Sequence, residues 1–312
     1  MCDTSDLFEV WQAPPSILAV RGKKEAWSVA FSPDNQTLAV GYDDEANHDQ
    51  ETLKLWDVQT GTERANLRHG SMVSEVAFLP HSSTLVSVCY DKALRLWDFD
   101  THRQLTAWYN HAGEIRCVAA SQDGRFLASG GKDKVMKLWD ATTGSVLHTL
   151  EIQSDLPSRV AFAPDSKTVA SADISGELRI WDVNTGQEIR LIIDNFQLFG
   201  LAYAPSGTIL ATGNKDGVVK LYDLKADDGE PRSLFGHKGE VRFVTFSPDG
   251  KTLASGGEDR TVRLWQVATG RELLVFKDLP AKVNSLAFSP DGRHLAAAIH
   301  DGSIRLWHAA KD

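Results

Sequence analysis

The chain has 312 residues, of which 42% are hydrophobic and 24% are charged, and its formal net charge is −9. These values are ordinary for a globular protein. An acidic chain without a block of five like charges argues against a nucleic-acid-binding function. No apolar stretch approaches the length of a membrane-spanning helix, roughly 18 residues or more, so we expect no membrane-spanning segment.

Cysteine content and the first residues bear on the compartment. Cys2, Cys89 and Cys117 form no Cys-x-x-Cys pair, and their odd number favours reduced thiols over a disulfide framework. The N-terminal segment 1–20 lacks a positively charged stretch followed by an apolar run, which argues against a secretory signal. The sequence therefore predicts a cytoplasmic protein.

Residues 1–15 are predicted to form an N-terminal arm ahead of the folded domain. Within the arm, residues 7–12 (LFEVWQ) resemble residues 261–266 (TVRLWQ). Three interpretations stay open: a relic of a strand, the remainder of a longer ring, or a short arm whose Trp11 packs against the rim of the domain.

From residue 16 onward the chain repeats with a nearly constant period. Each copy contains one regularly placed aromatic residue, and the successive spacings are 41, 42, 42, 41, 43 and 42 residues. These aromatics are Trp56, Trp97, Trp139, Trp181, Tyr222, Trp265 and Trp307. A period of about 40–45 residues is typical of the four-stranded blade of a β-propeller.

The sixth copy shows what one period contains. Val241, Phe243 and Thr245 alternate with residues of the other face, which predicts a first strand. A Pro-Asp-Gly turn at 248–250 leads to a second strand from residue 252 to 255, and a third strand ends at Trp265. A Thr-Gly turn at 269–270 precedes a fourth strand, 272–276. No segment shows a sustained helical period.

Seven copies in phase resemble the WD-repeat (WD40) family over residues 16–308. The residue after the aromatic is Asp in five copies, namely Asp57, Asp98, Asp140, Asp182 and Asp223. The resemblance implies an all-β fold: a seven-bladed β-propeller of four-stranded antiparallel blades, forming a single domain over 16–312. Residues 16–21 align with a fourth strand, and we expect them to complete the seventh blade and close the ring without an open edge.

Two blades depart from the pattern. Blade 1 has six extra residues in an acidic loop, 43–51, and blade 5 replaces its Thr-Gly turn within residues 225–231. The acidic loop is interpreted as a solvated loop, with a hard-cation site or a site for a basic partner segment as alternatives. It lacks the Asp-x-Asp/Asn-x-Asp/Asn-Gly frame of a calcium loop.

Three blades contain His, Ser, Asp and Trp at constant spacing. The offset from His to Ser is identical in all three sets, and so is the offset from Ser to Trp. The sets are His69, Ser87, Asp91 and Trp97; His111, Ser129, Asp133 and Trp139; His237, Ser255, Asp259 and Trp265. One interpretation is a hydrolase triad. The family resemblance implies a structural hydrogen-bonded tetrad instead, and no Gly-x-Ser-x-Gly elbow surrounds any of these serines. We therefore predict no catalytic residue, no metal and no cofactor.

One face of the ring is the predicted binding face. In the family, the loops joining fourth to first strands and second to third strands share this face, and partners commonly dock there and over the central channel. Aligned on the sixth blade, nine residues fall near that rim: Trp27, Tyr90, Arg116, Lys132, Phe199, Lys215, Arg242, Glu258 and His300. Aromatic residues and Arg are typical of interface hot spots. The alternative is that each is a half-buried residue covering the channel wall.

Three functions are compatible with this architecture. The first is a non-catalytic scaffold or adaptor that binds a protein or peptide, as a monomer or as a subunit of a hetero-complex. The second is a sensor or regulatory module of a larger protein or complex. The third is an enzyme with its site in the channel, which requires converging carboxylates and histidines there. The propeller fold alone does not decide among them.

Overall fold

A computed structural model describes residues 16–19, 24–43, 52–152, 156–226 and 230–309, with side chains from residue 24 onward. The described residues form 28 β-strands and no helix. These strands make seven four-stranded sheets whose neighbours are antiparallel. The predicted all-β, seven-bladed propeller is therefore confirmed. The N-terminal arm 1–15, residues 44–51 of the acidic loop and residues 227–229 lie outside the described residues, and so do the predictions that concern them.

Six blades use four consecutive strands each. Blade 1 contains β2 (Ala26–Phe31), β3 (Thr37–Tyr42), β4 (Leu53–Asp57) and β5 (Glu63–Leu67). Blade 2 contains β6 (Val73–Phe78), β7 (Thr84–Cys89), β8 (Leu94–Asp98) and β9 (Arg103–Trp108). Blade 3 contains β10 (Ile115–Ala120), β11 (Phe126–Gly131), β12 (Val135–Asp140) and β13 (Val146–Glu151).

The next three blades repeat this order. Blade 4 contains β14 (Pro157–Phe162), β15 (Thr168–Asp173), β16 (Glu177–Asp182) and β17 (Glu188–Ile193). Blade 5 contains β18 (Leu198–Tyr203), β19 (Ile209–Asn214), β20 (Val218–Asp223) and β21 (Arg232–Phe235). Blade 6 contains β22 (Val241–Phe246), β23 (Thr252–Gly257), β24 (Val262–Gln266) and β25 (Glu272–Phe276).

Blade 7 takes its strands from both ends of the described chain. It contains β26 (Val283–Phe288), β27 (His294–Ile299), β28 (Ser303–His308) and β1 (Ser16–Ala19), in the spatial order β1-β28-β27-β26. Ser16 pairs with Leu306 and Ala19 with Ser303. The first strands of neighbouring blades contact one another around the ring, so they line the central channel.

The core lies between blades. In each blade the second and third strands carry the most buried residues, because neighbouring sheets pack on both of their faces. One cluster joins Val29 and Leu38 of blade 1 to Ala296, Ala298 and Leu306 of blade 7. Burial on both faces explains why these strands read as nearly continuous apolar runs, unlike the exposed fourth strands.

Every first strand carries a β-bulge at its second residue. In blade 6, Val241 pairs with Gly257 and Phe243 with Gly256, which leaves Arg242 unpaired, and the other six blades show the same shift. A bulge breaks the alternation of side chains and re-aims the extra residue. Gly257 fits this geometry, since a Cβ there would come 1.9 Å from the carbonyl oxygen of Glu240. The bulges fix the positions from which the candidate site is built.

Candidate functional site

The predicted tetrads form hydrogen-bonded chains in blades 3 and 6. In blade 3, Trp139 Nε1 donates to Ser129 Oγ over 2.8 Å, and Ser129 Oγ lies 2.7 Å from His111 Nε2. His111 Nδ1 lies 2.8 Å from an Asp133 oxygen. Since a carboxylate only accepts, the neutral imidazole carries its proton on Nδ1, and Nε2 accepts from the serine hydroxyl. The serine is completely buried.

Blade 6 has the same chain of hydrogen bonds, with a His237–Asp259 distance of 3.0 Å, and adds a threonine. Trp265 Nε1 donates to Ser255 Oγ over 2.8 Å, and that hydroxyl lies 2.7 Å from His237 Nε2. Hydrogen bonds to Asp259 from His237, the backbone of Lys238 and Thr261 hold the pKa of this carboxyl at about 2, although burial alone would raise it. Asp259 is therefore ionised and accepts from the Nδ1 proton.

Blade 2 departs from the predicted tetrad. Trp97 and Ser87 keep their contact of 2.8 Å, and Ser87 Oγ lies 2.9 Å from His69 Nε2. However, Arg95 Nη1 lies 3.2 Å from His69 Nδ1, and the same guanidinium pairs with Asp91. The prediction that His69 and Asp91 pair directly is wrong, because an arginine stands between them.

Because of the inserted arginine, the ring proton of His69 lies on the other nitrogen from that of the histidines in blades 3 and 6. Arg95 can only donate, so Nδ1 of His69 must accept and its proton lies on Nε2, which donates to Ser87. Burial, followed by the repulsion of Arg95, lowers the pKa of His69 to about 3. In blades 3 and 6 the histidine accepts from the serine, whereas in blade 2 it donates to it.

One difference between blades 2 and 6 lies on the fourth strand. Glu272 stands opposite Trp265 in blade 6 and binds Arg263, the residue equivalent to Arg95. Lys54 and Arg179 bind Glu63 and Glu188 in the same way. In blade 2 the residue opposite Trp97 is Gln104. A neutral amide offers Arg95 no opposite charge, and Arg95 pairs with Asp91 instead. Blade 3 has Lys137 and Val146 at the equivalent positions, and there the histidine pairs directly with the aspartate.

Each of these buried hydrogen-bonded networks is called the lock of its blade, and in blade 5 the lock consists of other residues. Tyr222 donates to Asp194 over 2.8 Å, and Lys220 binds the same carboxylate at 3.0 Å. Asp194 lies one repeat before His237, at the position of the tetrad histidine. The tetrad motif does not predict this aspartate, although its offset of 28 residues before Tyr222 equals that of His237 before Trp265. In blade 4, Trp181 donates to Ser171 over 3.1 Å.

These locks do not present a reactive serine. Ser87, Ser129 and Ser255 are all 0% exposed. Each hydroxyl oxygen also accepts a hydrogen bond from an indole, which withdraws electron density from the atom that a hydrolase would use as the nucleophile. The arrangement can rigidify a blade, because a fully paired buried network specifies one conformation.

Six of the nine predicted rim residues form three contacting pairs. The rings of Trp27 and His300 lie 5.9 Å apart in an edge-to-face arrangement, which joins blades 1 and 7. Lys132 lies over the Tyr90 ring at 5.4 Å, which joins blades 2 and 3. Arg242 binds Glu258 within blade 6 at 2.7 Å.

The three remaining rim residues are Arg116, Phe199 and Lys215. Arg116 has a buried Nε without a hydrogen-bond partner among the described residues. The ring of Phe199 is half-buried, and the side chain of Lys215 is exposed. No single cluster contains all nine residues; they surround the channel mouth.

The side chains at the bulged positions differ in whether they form hydrogen bonds between blades. At the bulged position, Ser74 donates to the carbonyl oxygen of Ile115 in the next blade, over 2.7 Å. Asn284 likewise donates to the carbonyl oxygen of Ala26, over 2.8 Å. Ser74 and Asn284 thus connect blades, whereas Ser158 donates to the carbonyl oxygen of Ala172 within blade 4. Trp27, Arg116 and Phe199 have no inter-blade hydrogen bond within the described residues.

Below the mouth, a charged pair crosses the channel. Arg159 of blade 4 lies 3.6 Å from Glu75 of blade 2, and its guanidinium lies 4.9 Å from the ring centre of Phe243 in blade 6. Glu75 also accepts a hydrogen bond of 2.8 Å from the backbone N–H of Val118. Burial raises the pKa of Glu75, and Arg159 opposes this shift. The channel is therefore obstructed by its own side chains.

The channel pair was missed by sequence reasoning. Glu75, Arg159 and Phe243 all occupy the third position of their first strands, one residue after the bulge. The other blades have Ser28, Cys117, Gly200 and Ser285 there. An alignment of the seven repeats could have shown this position, because three blades have large or charged residues where the other four have small ones.

Within the described residues, no group of three metal-ligating side chains comes together. Nor does that part of the chain contain a helix long and apolar enough to cross a membrane.

The family model for the WD domain, G-beta repeat, matches the chain seven times. The matches cover residues 16–57, 61–98, 102–140, 144–182, 194–223, 229–266 and 271–308, which together include most of the chain. The chain belongs to the WD40 family.

Individual relatives match shorter segments of the chain. WD repeat and SOCS box-containing protein 1 of Xenopus tropicalis is 38% identical over 82 residues, 25% of this chain and 19% of the relative. Nuclear distribution protein PAC1 of Arthroderma otae is 36% identical over 92 residues, 26% of this chain and 20% of the relative. Periodic tryptophan protein 2 homolog of Dictyostelium discoideum is 30% identical over 103 residues, 32% of this chain and 11% of the relative. The matched segments thus span a fifth or less of these relatives.

Proposed function

We propose that this chain is a non-catalytic WD40 adaptor that binds a segment of a partner protein at the channel mouth where the seven bulges lie. One observation carries the proposal: Trp27, Arg116 and Phe199 occupy bulged positions and make no inter-blade hydrogen bond within the described residues, although the ring of Trp27 contacts His300 of blade 7. Two aromatic rings and an arginine around one concave mouth match the composition of interface hot spots. Their half-buried state leaves part of each side chain accessible.

The obstructed channel favours a segment that lies across the mouth. The Arg159–Glu75 pair forms a floor below the rim, so a partner is expected to rest on it and not to thread through the ring. The same pair weighs against a channel enzyme, because the carboxylate at this level is already bound by an arginine and a backbone amide.

A sensor or regulatory module of a larger assembly remains the alternative. Two features agree with it: the relatives are much longer than their matched segments, and one of them is named for a SOCS box. Such a module would use the same mouth. The two proposals therefore differ in what the bound segment belongs to.

Amine crosslinking followed by mass spectrometry tests the location. Lys132 and Lys215 are exposed on the proposed face, and Lys167 and Lys251 are exposed on the opposite face. We expect crosslinks between a purified partner and the first pair to exceed those to the second. Crosslinks confined to Lys167 and Lys251 would place the interface on the other face.

Matched charge reversals test the energetics with the same partner. Arg116→Glu is expected to weaken binding about 30-fold or more, since hot-spot residues contribute about 2 kcal/mol or more and about 1.4 kcal/mol is tenfold. Arg293→Glu makes the same charge change at an exposed position on the opposite face and should leave the affinity unchanged. Equal weakening by both variants, measured by calorimetry, would contradict the proposal.

A further inference from the structure

The face opposite the proposed binding site has a funnel of about 770 Å³ at the other end of the channel, with both apolar and polar groups on its wall. All seven blades contribute the end of the first strand or the turn that follows. Six turns place a proline on its wall: Pro33, Pro80, Pro164, Pro205, Pro248 and Pro290. The rings of Phe78, Phe162 and Tyr203 are half-buried in the wall. Cavities of roughly 300–1,000 Å³ with apolar walls commonly bury a ligand.

The chain enters the described fold on the side of this funnel. Ser16 pairs with Leu306, Leu306 with Ala296, and Ala296 with Ala287, so these four residues form one row across blade 7. The residue after Ala287 ends the first strand, and the turn with Pro290 follows it. Strand β1 runs from Ser16 away from that turn. Ser16, the first described residue, therefore lies at the funnel end of blade 7.

The distance matches the length of the preceding segment. Three strand spacings of about 4.8 Å, or about 14 Å in all, separate Ser16 from Ala287. Trp11 precedes Ser16 by five residues, a reach of up to about 17 Å, and Leu7 by nine, a reach of about 30 Å. Trp11 can thus reach the funnel wall, and the residues before it can extend across the opening.

The composition of this segment also fits the funnel. Leu7, Phe8, Val10 and Trp11 are apolar, with Glu9 the single charge among them. Two prolines, Pro14 and Pro15, restrict the link to Ser16 and lower the entropy lost on docking. We propose that residues 7–11 of this chain dock into the proline-lined funnel and cover its aromatic rings.

Photo-crosslinking in the full chain tests this intramolecular docking. Trp11→p-benzoylphenylalanine keeps an aromatic group at the key position, and the crosslinked residues are mapped by mass spectrometry. We expect crosslinks to the funnel wall, including Phe78 and Pro248. A mixture of ¹⁴N- and ¹⁵N-labelled protein separates contacts within one chain from contacts between two copies.

Two further variants complete the test. Thr245→Arg places a charged side chain in the funnel wall and should reduce the crosslink yield at least tenfold, whereas Lys215→Glu on the opposite face should not change it. The crosslink map of the protein that carries only Trp11→p-benzoylphenylalanine remains a valid test even if Thr245→Arg fails to fold. Crosslinks to the outer strands, crosslinks only between two copies, or no crosslink to the funnel would each overturn the proposal.

Discussion

Replacing Gln104 by Glu should convert the blade 2 lock into the form seen in blade 6, where His237 pairs directly with Asp259. Gln104 is exposed and stands opposite Trp97, as Glu272 stands opposite Trp265. A carboxylate at this position offers Arg95 the partner that Arg263 has in blade 6. We expect Arg95 to turn outward and His69 to pair directly with Asp91.

The pKa of His69 should rise as a consequence. Two unit charges 3.2 Å apart, the distance between Arg95 Nη1 and His69 Nδ1, repel each other by about 5 kcal/mol at an effective dielectric constant of about 20. Doubling the separation removes about half of this repulsion, which corresponds to roughly two pK units. The proton of the neutral ring should move from Nε2 to Nδ1, since Asp91 can only accept.

Long-range ¹H–¹⁵N NMR of the histidine rings measures both effects, because a ring nitrogen that carries a proton has a different ¹⁵N chemical shift from one that does not. Gln104→Leu is the matched control, since it removes the amide without adding a charge. Glu272→Gln is the reciprocal change and should move the proton of His237 from Nδ1 to Nε2. If Gln104→Glu leaves both the tautomer and the pKa of His69 unchanged, the fourth-strand carboxylate does not control the lock.

The remaining predictions concern stability, measured by chemical denaturation. Ser129→Ala leaves two buried polar groups without their shared partner and should cost about 2–4 kcal/mol, whereas the exposed Ser145→Ala should cost less than about 0.5 kcal/mol; equal costs would contradict the network. His69 has a pKa of about 3 in the folded state, so this residue alone should lower wild-type stability by up to about 1.4 kcal/mol per pH unit as the pH falls below about 6.5, and His111, whose pKa burial also lowers, adds to the slope. His69→Leu should lose less stability between about pH 6.5 and 5, and a slope as steep as that of the wild type would refute this assignment. Arg159→Met should cost about 3–5 kcal/mol by leaving Glu75 unpaired, and Glu75→Gln/Arg159→Met should recover most of it; a double variant no better than the single one would contradict the pair.

The repeat made the architecture predictable. A period that keeps phase seven times fixes the number of blades, and the turns within each period fix the order of strands. The predicted fourth strand of blade 6 coincides with Glu272–Phe276, whereas the predicted second strand, 252–255, continues to Gly257. The extension has a physical reason: the ladder continues through two glycines whose low strand propensity hid it.

The path of the blade 2 lock was not predictable from the motif alone. Blades 2 and 6 share His, Ser, Asp and Trp, and both have an arginine two residues before the tryptophan. The motif is the same, but the hydrogen bonds differ, because residues outside the motif decide where the arginine goes. Comparing Gln104 with Glu272 across the repeat would have revealed the difference.

The channel pair was hidden for a different reason. Glu75 and Arg159 are far apart in the chain and belong to blades 2 and 4, which are not neighbours. Pattern and spacing describe one blade and its contact with the next. A contact across the ring depends on the diameter of the channel and on the small residues at this level in other blades.

This cross-channel contact changes how a variant should affect binding. In a linear array each repeat contacts only its neighbours, but Arg159 joins blades 2, 4 and 6 beneath the proposed binding mouth. Arg159→Met should therefore weaken partner binding as well as stability, because Glu75 directly follows the bulged Ser74 and Phe243 follows Arg242. Ser129→Ala acts within one blade and should lower stability with little effect on affinity. If both variants weaken binding only in proportion to their loss of folded protein, the pair is a structural brace and not the floor of the binding site.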